Sequence, residues 1–140
     1  MRTLEIRELE ITAVQAAARK EFDAAATAMK RATLLEEEMS PPSGPPTLIK
    51  PSHELFGEIL LKAGKPLDAI TQFSKSLERQ PNRARSLIGI ARAYAASGDA
   101  GKAREAYAKL VEIWRQADSD LPELIEAKAF LSGAAKTALR

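Results

Sequence analysis

Apolar and small side chains recur three or four positions apart over most of the chain, which is the spacing of one helix face. In residues 50–83 this set comprises Phe56, Gly57 and Leu60 in a first segment, and Ala69, Phe73 and Ser76 in a second. Gly64 and Pro66 stand between the segments, where a glycine favours a helix end and a proline favours a first helical turn. The pattern predicts two antiparallel helices that approach closely at their small residues.

The same pattern returns one unit later, in residues 84–117. Its members are Leu87, Ile90, Ala91 and Tyr94 before the turn residue Gly98, and Ala103, Tyr107 and Leu110 after it. Asp99 is expected to cap the second helix of this unit. A degenerate copy occupies residues 6–39, where Lys20 replaces the turn glycine, and a proline-rich connector, residues 40–49, follows it. The recurrence predicts a single all-α domain over residues 1–140 that is built from stacked helix pairs.

The last part of the sequence predicts a capping helix over residues 120–138. Asp120 and Glu123 have the spacing of a capping box, and Pro122 suits a first turn. The side chains expected to be buried are Leu121, Leu124, Ile125 and Leu131. The opposite, solvated face is expected to carry Glu123, Glu126, Lys128 and Lys136. Just before this helix, Arg115 stands where a closing proline would be expected, so the preceding helix is expected to run on through Trp114 and to stop near Asp118.

The first helix carries a second apolar stripe, made of Leu4, Ile11 and Val14. The end repeat of a stacked array needs a polar outer side, but this stripe makes the outer side of the first repeat apolar. Either the stripe packs under the connector, or a second copy of the chain, a further repeat or a partner covers it. The second interpretation predicts a homodimer or a fragment of a larger assembly that associates through these three residues.

Composition leaves few residues for catalysis or metal binding. The 140 residues include no cysteine and one histidine, His53, which the repeat frame places against a paired helix. No nucleophile motif, glycine-rich phosphate loop or metal-ligand spacing is present. We therefore expect a protein that is not an enzyme and has neither metal nor cofactor. No apolar run reaches the roughly 18 residues of a membrane span, and the first residues are charged, so a cytoplasmic location is expected.

Four arginines lie close together in the sequence and suggest nucleic acid as an alternative partner: Arg79, Arg83, Arg85 and Arg92. Phosphate binding depends on many cations acting together. Glu54, Glu58 and Glu78 are expected to lie near these arginines and to cancel much of their field. Nucleic acid is therefore a less favoured partner than a protein.

The small and large apolar residues of the 34-residue unit resemble the tetratricopeptide repeat. The stretch GPPTLIKPSHELFGEILLKAGKPLDAI also looks like the C-terminal repeat section of longer bacterial proteins of that family. The resemblance implies a right-handed α-solenoid whose first helices line a concave groove. It also implies an interaction module or scaffold that binds a peptide segment of a partner protein.

The resemblance further implies which residues line the groove, from the second, fifth, ninth and twelfth positions of each first helix. Counted in this way, they are Arg7, Glu10, Val14 and Ala17, then Pro51, Glu54, Glu58 and Leu61, then Arg85, Ile88, Arg92 and Ala95. Glu10, Val14 and Gly89 stand where the family's carboxylate clamp needs lysine, asparagine and a basic residue. The groove is therefore expected to hold a peptide with both charges around an apolar anchor.

Overall fold

A computed structural model describes residues 2–40, 50–117 and 120–133 of the chain. In these ranges the chain forms seven helices and no strand, which confirms the all-α prediction. The helices are α1 (Arg2–Ala18), α2 (Phe22–Glu37), α3 (Ser52–Lys62), α4 (Pro66–Arg79), α5 (Ala84–Ser97), α6 (Ala100–Ile113) and α7 (Pro122–Leu131). The handedness of the solenoid and the bounds of its repeats remain predictions.

The three turns inside helix pairs share one backbone hydrogen bond. The N–H groups of Glu21, Lys65 and Asp99 each donate to the carbonyl five residues earlier, at 2.9 Å. This closure needs a residue with positive φ, and Gly64 (φ 75°) and Gly98 (φ 90°) supply it without strain. In the first pair Lys20 adopts φ 62°, so the turn forms even where the glycine is missing. A non-glycine residue in this conformation costs about 1–2 kcal/mol.

Helix ends follow the sequence signals only in part. The Asp99 carboxylate accepts the N–H of Lys102 at 3.1 Å and caps α6, as expected. The predicted capping box of α7 is wrong, because its N-cap is Leu121 and no side chain caps it. Pro122 alone marks that start. The prediction that α6 runs on through Trp114 to a stop near Asp118 is also wrong, since the helix ends at Ile113 and Trp114 is its C-cap.

The core is organised around the ring of Phe73, which is fully buried. The ring lies between two glycines of first helices, Gly57 in α3 and Gly89 in α5. A Cβ atom at Gly57 would stand 2.8 Å from the ring, and one at Gly89 would stand closer still. Because a real Cβ atom cannot come so near, both positions require glycine for α4 to seat its aromatic ring between α3 and α5.

The capping helix buries Leu124, Ala127 and Phe130. The rings of Phe130 and Tyr107 stack in a tilted arrangement with centroids 4.8 Å apart. Ile125, predicted to be buried, is 52% exposed, because one residue along a helix turns about 100° away from Leu124. Residues 134–138 of the predicted capping helix lie outside the described residues.

We predict that Gly89→Ala lowers the free energy of unfolding by about 1–3 kcal/mol, the usual loss for overpacking a core. Phe73→Ala should lower it by about 3–5 kcal/mol, because it leaves a cavity. The methyl group of Gly89→Ala and the ring of Phe73 compete for one space. The double variant should therefore lose less free energy of unfolding than the sum of the losses in the two single variants. Chemical denaturation of the three variants measures this coupling.

Gly101→Ala is the matched control, because its added methyl group would meet no atom nearer than Asp99 Oδ1 at 3.7 Å. This change in an open helical position should stabilise the chain by about 0.5–1 kcal/mol. Additive losses at Phe73 and Gly89 would contradict the close contact between them.

Candidate interaction surfaces

A cavity of about 430 Å³ lies between α1 and α3. It is lined by Arg7, Glu10, Ile11, Val14, Gln15, Lys50 and Leu55. Ile11 is 58% exposed and Val14 is 48% exposed, so their aliphatic side chains are accessible at one wall. The structure therefore brings Arg7, Glu10 and Val14, three of the predicted groove residues, to a single apolar recess.

The polar groups beside this recess, which we call the first cavity, are already engaged. Ser52 Oγ donates to Glu10 at 2.9 Å, and the Ser52 N–H donates to the Glu36 carboxylate at 2.5 Å. Burial raises the pKa of Glu10, and the nearby Glu36 carboxylate adds to this effect against the Ser52 hydrogen bond. Lys50 Nζ donates to Glu58 at 2.6 Å.

A second cavity, of about 230 Å³, lies between α3 and α5. Five predicted groove residues meet there: Glu58, Leu61, Arg85, Ile88 and Arg92. Ile88 is only 2% exposed, so it offers almost no apolar surface as an anchor. Four charged side chains, Glu58, Lys62, Arg85 and Arg92, line this smaller cavity, and it is less suited to an aliphatic group than the first because it has about half the volume and keeps Ile88 buried.

Glu54, predicted to line the groove, is fully buried. Its carboxylate accepts hydrogen bonds from Arg83 Nε and from Ser86 Oγ, both at 2.6 Å. Ser86 in turn shares a hydrogen bond of 2.7 Å with Ser76. The prediction that Glu54 faces a partner is therefore wrong, because this carboxylate joins α3 to the start of α5 inside the protein.

The family model of the tetratricopeptide repeat matches residues 55–119, a little less than half of the chain. These residues are tetratricopeptide repeats. The resemblance to the tetratricopeptide repeat is thereby confirmed, whereas the likeness to longer bacterial proteins stays a prediction; repeats of this kind generally mediate protein–protein interaction without catalysis. A comparison with curated proteins finds no match.

The four arginines of the predicted cluster each contact a different group of the protein. Arg83 binds Glu54, Arg85 lies 3.5 Å from Glu123, and Arg92 makes two hydrogen bonds to Glu126 at 2.6 and 2.8 Å. Arg79 donates to the Met39 carbonyl at 3.2 Å. Each guanidinium therefore has its own protein partner, and three of the four positive charges are matched by a carboxylate.

Glu126 is the acceptor at the centre of the contact between α7 and the repeats. Burial alone would raise its pKa, but the hydrogen bonds donated by Arg92 and by Tyr107 (2.7 Å) outweigh this effect and lower the pKa. Burial and the same carboxylate raise the pKa of Tyr107. Sequence reasoning missed this pairing, because it treated Glu126 as part of a solvated face.

The first-helix stripe is exposed as the sequence indicates, with Leu4 at 59% beside Ile11 and Val14. The connector that was considered as its cover includes residues 41–49, which lie outside the described residues. Sequence reasoning assigned Ile11 only to this stripe and missed that it also lines the first cavity, as do Gln15, Lys50 and Leu55. Ile11 and Leu55 occupy the same position of their repeats, and this equivalence could have indicated that both line one cavity.

His53 is 2% exposed and packs between helices, as the repeat frame predicts. Its Nδ1 lies 2.7 Å from Gln72 Oε1, and its Nε2 lies 2.9 Å from the Glu37 carboxylate. In the described ranges no group of three metal-ligating side chains gathers at one place. Nor does any described helix have the length and apolar character to cross a membrane.

We predict that Glu126→Gln destabilises the protein by about 1 kcal/mol at pH 7, the upper range for partly exposed ion pairs. Because the folded-state pKa of Glu126 is lowered, its contribution is present above the ordinary value of 4.5 and is lost as the pH falls below it. The melting temperatures of parent and variant should therefore converge in acid. Glu105→Gln, at an exposed position of α6, is the control and should track the parent throughout. A constant gap at every pH would contradict the ion pair.

Proposed function

We propose that this chain is a non-catalytic interaction module that binds a peptide segment of a partner protein on the face formed by its first helices. One observation carries the proposal. Ile11 and Val14 keep about half of their surface in water while lining a recess that Leu55 completes. Burying such side chains against a partner is favourable by about 25 cal/mol for each Å² of apolar surface removed from water.

The chemistry of the first cavity indicates how a peptide would bind. An aliphatic side chain would enter between Ile11 and Val14 and supply most of the affinity. Arg7 and Lys50 stand at the edge of the cavity and would orient the neighbouring peptide groups. We place the apolar anchor of the peptide in the first cavity and not in the second. In the second cavity Ile88 is buried, and α7 already engages Arg85 and Arg92.

Val14→Glu should abolish capture of the partners that the parent retains from the native cell extract, because it places a charge in the apolar recess. Ile125→Glu is the matched control, since Ile125 is similarly exposed but lies on α7. The control should retain the parent's partners. Quantitative mass spectrometry of the three pull-downs compares them directly.

Retention of every partner by Val14→Glu would show that the first cavity is not the binding site. Loss of the same partners from both variants would point to a general effect of added negative charge, and would also contradict the proposal.

A second candidate function is self-association through the outer face of α1, which carries Leu4 and Ile11. Ile11 holds the repeat position that Gly89 holds in α5, and Gly89 receives the Phe73 ring of the preceding helix α4. The equivalent face of α1 receives no such helix in the described part of the chain. A second copy of α1 is the simplest cover, with the two faces related by a two-fold axis.

The double variant Leu4→Glu with Ile11→Glu should sediment as a monomer at micromolar concentration, whereas the parent should sediment as a dimer. Leu67→Glu changes an isolated leucine that is 71% exposed on α4, and it should leave the dimer intact. A monomeric parent would exclude self-association through this face.

A further inference from the structure

Another cavity of the described chain lies between the second helices of the first two pairs, away from the first-helix face discussed above. This groove, the α2–α4 groove, has a volume of about 500 Å³. Lys30 and Leu34 line it from α2, and Lys65, at the N-cap of α4, and Lys75 line it from the other side. The nearly buried Phe56 and Leu60 lie at its base.

The charges of this groove favour an anionic ligand. Its two carboxylates are Glu37 and Asp68. Glu37 is already occupied, because its Oε1 lies 2.9 Å from His53 Nε2 and 3.8 Å from Lys75 Nζ. Within the described residues Lys30 and Lys65 form no ion pair, so two cations face one remaining carboxylate, that of Asp68.

The groove also offers apolar surface to a ligand. Leu34 is 56% exposed at the α2 wall, where it stands beside the lysines. A recess between two adjacent helices is the kind of site into which a third, amphipathic helix packs its apolar face. We propose that the α2–α4 groove binds an acidic amphipathic helix of a partner protein, with a leucine or isoleucine against Leu34 and carboxylates near Lys30 and Lys65. This site is independent of the first cavity.

The chain carries its own reporters for this site. It has one histidine and one tryptophan. His53 contacts Glu37 and Gln72, both of which line the groove, so its ring signals will respond to an occupant. Trp114, the C-cap of α6, does not line the groove and serves as an internal control.

The probe is a synthetic peptide of about 15 residues, long enough to form a helix, with leucines at helical spacing and glutamates elsewhere. Titrated into the full chain at low salt, it should shift the His53 ring signals in NMR and leave the Trp114 indole signal in place. Lys30→Glu with Lys65→Glu should raise the dissociation constant about tenfold or more. Lys128→Glu with Lys62→Glu adds the same negative charge at positions outside the groove, and should leave binding close to that of the parent.

Four results would overturn the proposal. The first is the absence of a His53 shift at low salt, and the second is equal weakening in the two double variants. The third is equal binding of a glutamate peptide without leucines, which would show attraction by charge alone. The fourth is a His53 shift caused by raising the protein concentration without peptide, which would identify the occupant as a second copy of the chain.

Discussion

The seating of the Phe73 ring between Gly57 and Gly89 is the contact on which the rest of the array depends. It fixes how closely α4 approaches both α3 and α5, since neither glycine leaves room for a side chain. The small residue Ser76 and the hydrogen bond between Ser76 and Ser86 extend this close approach along α4. The second cavity lies directly beside this contact, since Phe73 and Gly89 both line it.

The joint between the first and second helix pairs is built differently. There the apolar core runs across the joint, and polar contacts are added to it: Glu36 accepts the Ser52 N–H, Glu37 meets His53, and Arg79 donates to the Met39 carbonyl. Helices joined through side-chain hydrogen bonds need not interlock as tightly as helices joined through a ring and two glycines. The first cavity and the α2–α4 groove, which are both larger than the second cavity, flank this joint. The looser joint thus provides the two candidate binding surfaces.

The sequence predicted the features that depend on local patterns. Phe73, the turns at Gly64 and Gly98, and the cap at Asp99 all follow from spacing and backbone preference. The errors arose where side chains from distant segments meet. Glu54 is buried because Arg83, 29 residues away, supplies a compensating charge, and Arg92 is paired because α7 brings Glu126 to it. Helical periodicity says which face a residue occupies, but it does not say which charge another segment will place there.

The polar joint has a consequence for the way in which the array would break. A stack of repeats opens first at its weakest joint, and the joint between α2 and α3 lacks the ring-and-glycine contact that holds α4 against α3 and α5. Separation there would leave Ser52 and Leu55 at a new open end, in the positions that Glu8 and Ile11 hold on α1. Partial opening would therefore expose on α3 the face that is uncovered on α1. A partner that binds the exposed face of α1 would then find an equivalent surface on α3.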